Sequence, residues 1–135
     1  MGKLNSISYK EGGFNISMLL IRVLFGSAMI INHGLPKIMS FAERADKFYD
    51  PFHIGHKWSL LLVIFAEVFC SFFVIIGLFT RIAAVPLIIA MAVAAFMANG
   101  GQPFSDQEAA LTFLIAFLSL LIVGPGRFSV DGMIK

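Results

Sequence analysis

Four long apolar runs dominate the chain, and polar or glycine- and proline-bearing breaks separate them. They cover about residues 16–34, 58–79, 82–98 and 108–123. Each approaches the roughly 20 residues needed to cross the hydrocarbon core of a bilayer as an α-helix. The pattern predicts an all-α fold, an integral membrane four-helix bundle, with residues 1–135 forming one domain. The breaks carry their own signals. The first helix is expected to run from about Ile16 to Asn32, with room to continue a turn or two past Gly34 and Pro36. The segment SFAERADKFYDPFHIGHK is dense in charge; AERADKF suits a short interfacial helix that the Asp50–Pro51 step should end. Trp58 stands where an interfacial anchor belongs. Thr80–Arg81 reads as a tight turn, which puts Pro86 in the first turn of the third span, where proline costs least. Asn99-Gly100-Gly101-Gln102-Pro103 reads as a loop, and Ser105 with Glu108 has the spacing of a capping box that starts the fourth span. Gly124-Pro125-Gly126 stops it.

Composition agrees with the pattern. Of 135 residues, 59% are hydrophobic and 13% charged, with a mean hydropathy of +0.89. Soluble domains carry about 25% charged residues. The net charge of +2 comes from scattered Lys and Arg, with no basic tract or aromatic-basic platform for nucleic acid. The polar lead MGKLNSISYKEGGFN lacks the order of a signal peptide, so the first helix is expected to be its own insertion signal. Cys70 is the single cysteine and lies in an apolar run, which excludes dithiol chemistry within the chain.

Against this apolar background, a few ionisable residues stand out. At 100° per residue, Arg22, Gly26, Met29, His33 and Lys37 fall on one face of the first helix. Glu67 is the second charge at membrane depth, and ionisable groups there are costly and point to function. Arg22 lies eleven residues from His33, and Glu67 ten from Lys57, which predicts that Arg22 and Glu67 meet at similar depth on antiparallel neighbours. Such a pair is either a register lock or the wall of a polar cavity that binds a quinone headgroup or relays protons. His56, Leu60, Val63, Glu67 and Ser71 share a face of the second span; Glu108, Thr112, Ile115 and Ser119 align on the fourth. Together these stripes predict a cavity between spans one, two and four. The candidate catalytic residues are Arg22, Glu67 and His33, and the candidate binding residues are Arg22, Gly26, His33, Lys37, Glu67 and Ser71. Thr112 and Ser119 are expected to bond to their own backbone. The histidines read as interfacial hydrogen-bonding groups rather than ligands to haem or metal.

Four spans put both termini on one side, with Lys3, Lys10, Arg81, Arg127 and Lys135, against Lys37, Arg44, Lys47 and Lys57 on the other. By one residue the positive-inside rule favours cytoplasmic termini. The small-residue helix faces (Gly26, Gly77, the alanines of span three) allow close helix approach and a homo-oligomer.

Three stretches resemble the DoxX family of small four-helix membrane proteins. They are Arg22 and Gly26 with the HGLPK stretch at His33–Lys37, Glu67 followed by Gly77-Leu78-Phe79-Thr80-Arg81-Ile82-Ala83-Ala84, and Gly124-Pro125-Gly126-Arg127-Phe128-Ser129-Val130-Asp131. The resemblance implies a protein of the bacterial cytoplasmic membrane, in a class that includes a small subunit of thiosulfate:quinone oxidoreductase. It favours a redox-associated membrane subunit over a self-sufficient enzyme. The chain supplies no intrinsic cofactor, so electron transfer needs a bound quinone or a partner redox subunit. Two other readings stand beside it: a non-catalytic scaffold or assembly protein, and a small-solute or proton carrier.

Overall fold

A computed structural model describes residues 6–98 and 103–134. Residues 99–102 of the loop expected at Asn99–Pro103 and the first residues of the polar lead lie outside that range.

The first long helix, α1, spans Glu11–Met39. It begins before the expected boundary because tertiary contacts hold its polar first turns: Asn15 is buried and accepts a hydrogen bond from the Arg127 N–H at 2.9 Å. It also runs through Gly34 and Pro36 to Met39. Proline inside a helix removes one backbone donor and crowds the carbonyl four residues back. The helix adapts with a π-helical stretch at Ile30–Gly34, where the Leu35 N–H reaches back five residues to the Ile30 carbonyl.

After α1, the expected interfacial helix shrinks to α2, Phe41–Arg44. Helix α3 spans His56–Ile76 and contains a second π-helical stretch at Phe65–Cys70. It ends at Gly77, whose φ of 75° is left-handed and open to glycine without strain. Helix α4 spans Thr80–Ala98, ending in a third π-helical stretch at Val93–Ala98. Thr80 and Arg81 therefore open α4 instead of forming the turn, which is Gly77–Phe79. Pro86 accordingly lies inside the helix rather than in its first turn. The cause is Asp131: its carboxylate accepts from the Phe79 and Thr80 N–H groups at 2.9 and 3.0 Å and from Thr80 Oγ1 at 2.9 Å, capping α4 from the far end of the chain. Helix α5 spans Phe104–Val123 after Pro103, so Ser105 is already helical and is not the cap. A short α6, Val130–Ile134, completes the described chain.

The main interfaces are α4 with α5 and α1 with α3. Met29, Val74, Leu87, Met91, Phe117 and Leu120 fill the centre, and Ala83, Ala84, Ala95 and Ala110 let α4 and α5 approach. Large apolar side chains also cover the outside, among them Leu24, Leu62, Phe69, Ile82, Ile89 and Ile122. Water would penalise that surface and lipid does not. Helices α1, α3 and α4 are long and apolar enough to cross a membrane, and α5 is apolar over Gln107–Val123. The fold is a membrane helical bundle.

Candidate functional site

The two glycines of α1 set how it meets α3. A Cβ added at Gly26 would lie 2.5 Å from Ile75 Cγ1 and 3.2 Å from the Ser71 carbonyl oxygen. One added at Gly34 would lie 2.6 Å from Val68 Cγ2 and 3.3 Å from Glu67 Cβ. Gly34 thus sits opposite Glu67, and the next turn of α1 brings Lys37 onto that carboxylate. Lys37 Nζ and Glu67 Oε1 form an ion pair at 2.9 Å. Lys37 also donates to the His33 carbonyl at 3.3 Å. Glu67 is 2% exposed and projects from the π-helical stretch of α3. A π turn is often retained where a helix must aim a side chain that regular geometry would misplace.

Arg22 and Glu67 therefore do not meet. The antiparallel register pairs Gly34 with Glu67 and carries Arg22 past Ile75, about 18 Å along the helix from where equal depth would put it, at 1.5 Å per residue. The expectation placed His33 level with Lys57, whereas α1 continues beyond His33. Arg22, 1% exposed, donates to the carbonyls of Val74 at 3.5 Å and Ile75 at 3.3 Å, at the end of α3. Its other terminal nitrogen donates to the Phe128 carbonyl. Arg22 closes the C-terminal end of α3 and fastens the segment after α5.

Glu67 and Lys37 face a cavity of about 480 Å³. Its walls come from α3 (Leu62, Val63, Ala66) and α4 (Pro86, Ala90, Ala94), and its roof from Phe48, Tyr49, Pro51, Phe52 and Ile54. Apart from the ion pair, Ser59 and Tyr49, the lining is apolar. This cavity lies toward α4, between spans two and three, not toward span four as the stripes suggested. The Glu108–Ser119 stripe lines a separate groove beside Ile21 and Phe25 of α1. Thr112 and Ser119 bond back to the carbonyls of Glu108 and Ile115, both at 2.8 Å.

The remaining candidates fall around the pair. The His33 ring packs edge-on against Phe113, with centroids 5.3 Å apart, on the α5 side of α1. Gly26 serves helix packing. Ser71 is fully buried in the α1–α3 interface, and its hydroxyl has no hydrogen-bond partner among the described residues. His56 Nδ1 is 2.5 Å from the Phe48 carbonyl oxygen. Among the described residues, no three His, Cys, Asp or Glu side chains come together to hold a metal ion. Sequence reasoning missed the roof and the α4 wall. The apolar residues punctuating the charged segment FYDPFHI were the available signal, since a solvated loop has no use for so many.

The DoxX family model matches residues 17–100. An uncharacterized protein of Haemophilus influenzae is 29% identical, over 91% of this chain and 86% of that protein. No solved structure matches the chain.

Proposed function

This chain belongs to the DoxX family, and from that premise we propose that it is a membrane-embedded subunit of a redox system, binding a quinone-like lipophilic molecule in the cavity beside Lys37 and Glu67. The observation that carries the reading is the Lys37–Glu67 pair, an ion pair in the wall of an otherwise apolar cavity of about 480 Å³. Small-molecule sites combine apolar walls with a few placed polar groups in this volume range. The fit to a quinone is chemical. A planar apolar ring with carbonyl oxygens asks for apolar walls, one donor and one proton-exchanging group.

A bound quinone would supply the two-electron, two-proton couple, with electrons exchanged through a partner redox subunit. Lys37 offers its ammonium to a carbonyl oxygen and is steadied by the His33 carbonyl. Glu67 holds or takes a proton at the same oxygen, beside a cation that compensates its charge. The α3 and α4 walls keep water from the pair. Leu62 and Ile89 line the cavity, so a lipophilic occupant lies against apolar walls. In this reading Arg22 holds the fold, and His33 positions Lys37 through its carbonyl. The setting is a bacterial cytoplasmic membrane, with both termini on the cytoplasmic face.

The test is mass spectrometry of the organic extract from protein purified in mild detergent, wild type beside the double variant K37M/E67L. Replacing both members of a buried pair is often neutral for stability. A near-stoichiometric quinone in the wild type, absent from the folded double variant, is the expected result. A double variant that folds and keeps the quinone removes the pair from the site. Wild-type protein that carries none and binds no added decylubiquinone returns the pair to a structural role in a scaffold.

A further inference from the structure

The cavity roof is attached in an unusual way. Residues 48–55 form the last part of the connection from α2 to α3, and their apolar side chains Phe48, Tyr49, Phe52 and Ile54 face the cavity. The bonds that fasten this segment converge on one carboxylate. Asp50 Oδ1 accepts from the Ile54 N–H at 3.0 Å and from Ser59 Oγ at 2.8 Å, while Oδ2 accepts from the Gly55 N–H at 2.9 Å. A second tie is the His56 ring on the Phe48 carbonyl. Both ties end on the first turn of α3, so that turn is the post to which the roof is fastened. Between them the backbone turns through two left-handed residues, His53 at φ 57° and Gly55 at φ 111°. Left-handed backbone is sparsely populated for histidine and persists where surrounding bonds hold it.

We propose that segment 48–55 is a lid over the Glu67 cavity and that Asp50 is the positioning residue that latches it, so that exchange of a lipophilic ligand is governed by the Asp50 bonds to Ile54, Gly55 and Ser59. The Ile54 and Gly55 N–H groups fold the segment around the Asp50 carboxylate, and the Ser59 hydroxyl ties that carboxylate to α3, so loss of Asp50 removes both the fold of the segment and its tie. Nothing in the lid bonds to Lys37 or Glu67, so opening it leaves the ion pair in place. The latch therefore sets the rate of exchange more than the chemistry at the pair. The ligand it retains is the one proposed above, and only in that respect does the lid depend on that reading.

The experiment uses the full chain in detergent micelles, as wild type, Asp50→Ala and the milder Ser59→Ala. It reads two quantities: the dissociation rate of decylubiquinone, and the rate at which N-ethylmaleimide labels Ala94→Cys on the cavity wall in a Cys70→Ala background. Asp50→Ala is expected to speed both by at least about tenfold, the factor one net hydrogen bond to a charged group is worth. Ser59→Ala should give a smaller increase in both. Faster labelling with unchanged dissociation overturns the lid as a gate while leaving the binding site standing. Unchanged labelling in both variants overturns the lid outright. If the wild type binds no decylubiquinone, the quinone reading falls and labelling alone decides the lid. Should Asp50→Ala fail to fold, Ser59→Ala carries the same comparison.

Discussion

Arg22→Met tests most directly whether the buried arginine serves chemistry or architecture. The side chain is 1% exposed, and its two terminal nitrogens donate to three carbonyls while Nε has no hydrogen-bond partner among the described residues. The bonds to Val74 and Ile75 are long, at 3.5 and 3.3 Å, and cap the end of α3. The bond that restrains the following segment is the one to Phe128. A hydrogen bond to a charged group contributes about 1.5–3 kcal/mol net. Removing this one should raise the population of a released 124–129 segment by about 2 kcal/mol, roughly thirtyfold. The remaining restraints are common to both proteins and set the baseline of release rather than the ratio. Asn15 still holds the Arg127 N–H, and Asp131 still caps α4. The Arg127–Glu11 ion pair is well exposed and adds about 0–1 kcal/mol. Trypsin cleavage after Arg127 reads the released population when opening is fast relative to cutting. Arg22→Met protein that stays folded should be cut there roughly thirty times faster than wild type. Arg22→Lys should show most of that increase, because a single compact ammonium cannot reach both the α3 carbonyls and the Phe128 carbonyl, which the two terminal nitrogens of the guanidinium serve separately. A wild-type cleavage rate in folded Arg22→Met would refute the clamp and return Arg22 to the list of functional charges.

Two further outcomes follow from the geometry. Gly77→Ala would force a side chain into left-handed backbone at φ 75° and into Ser129 and Arg22, so thermal inactivation in detergent should show a loss of at least about 1–3 kcal/mol, with the segment after α5 released. Lid protection should depend on acid. Desolvation pushes the Asp50 carboxyl up, but the Ser59 hydroxyl and the Gly55 and Ile54 N–H groups, with His56 nearby, outweigh it and hold the carboxyl below its usual range. With the folded value depressed, the contribution is complete above the ordinary carboxylate value of about 3.9 and fades as pH falls below it. Hydrogen exchange at residues 54–55, corrected for intrinsic rate, should show protection above that of Asp50→Asn at pH 6 and a smaller excess at pH 3; an equal excess at both pH values would contradict the latch.

What the sequence revealed and what it hid divide along the range of the interactions. The apolar runs reveal the helices because each run is a local property of the chain. Gly26 and Gly34, two turns apart on the face that also holds Arg22 and Lys37, correctly mark the side of α1 that approaches another helix. The partner of Glu67 was not legible from spacing. Finding it requires knowing how far α1 runs past Pro36, and that depends on a π turn that absorbs the proline. The start of α4 was equally hidden, since its cap, Asp131, arrives from some fifty residues downstream. The motifs around Gly77–Ala84 and Gly124–Asp131 are prominent in sequence. In three dimensions they meet as Gly77, Thr80, Arg22, Phe128 and Asp131, a structural joint at the opposite end of the bundle from the cavity.

That joint also dictates an order of events during synthesis. Arg22 enters the membrane with the first helix, yet the Phe128 carbonyl that receives it is made only after all four long helices. Until then the guanidinium has only the weaker carbonyls at the end of α3, and α4 lacks the carboxylate that caps it. In this order the inserted chain stays open until residues 124–131 have left the ribosome. A truncation just before Phe128 would leave every spanning segment intact and still strand the bundle at that stage, exposed to quality-control proteolysis.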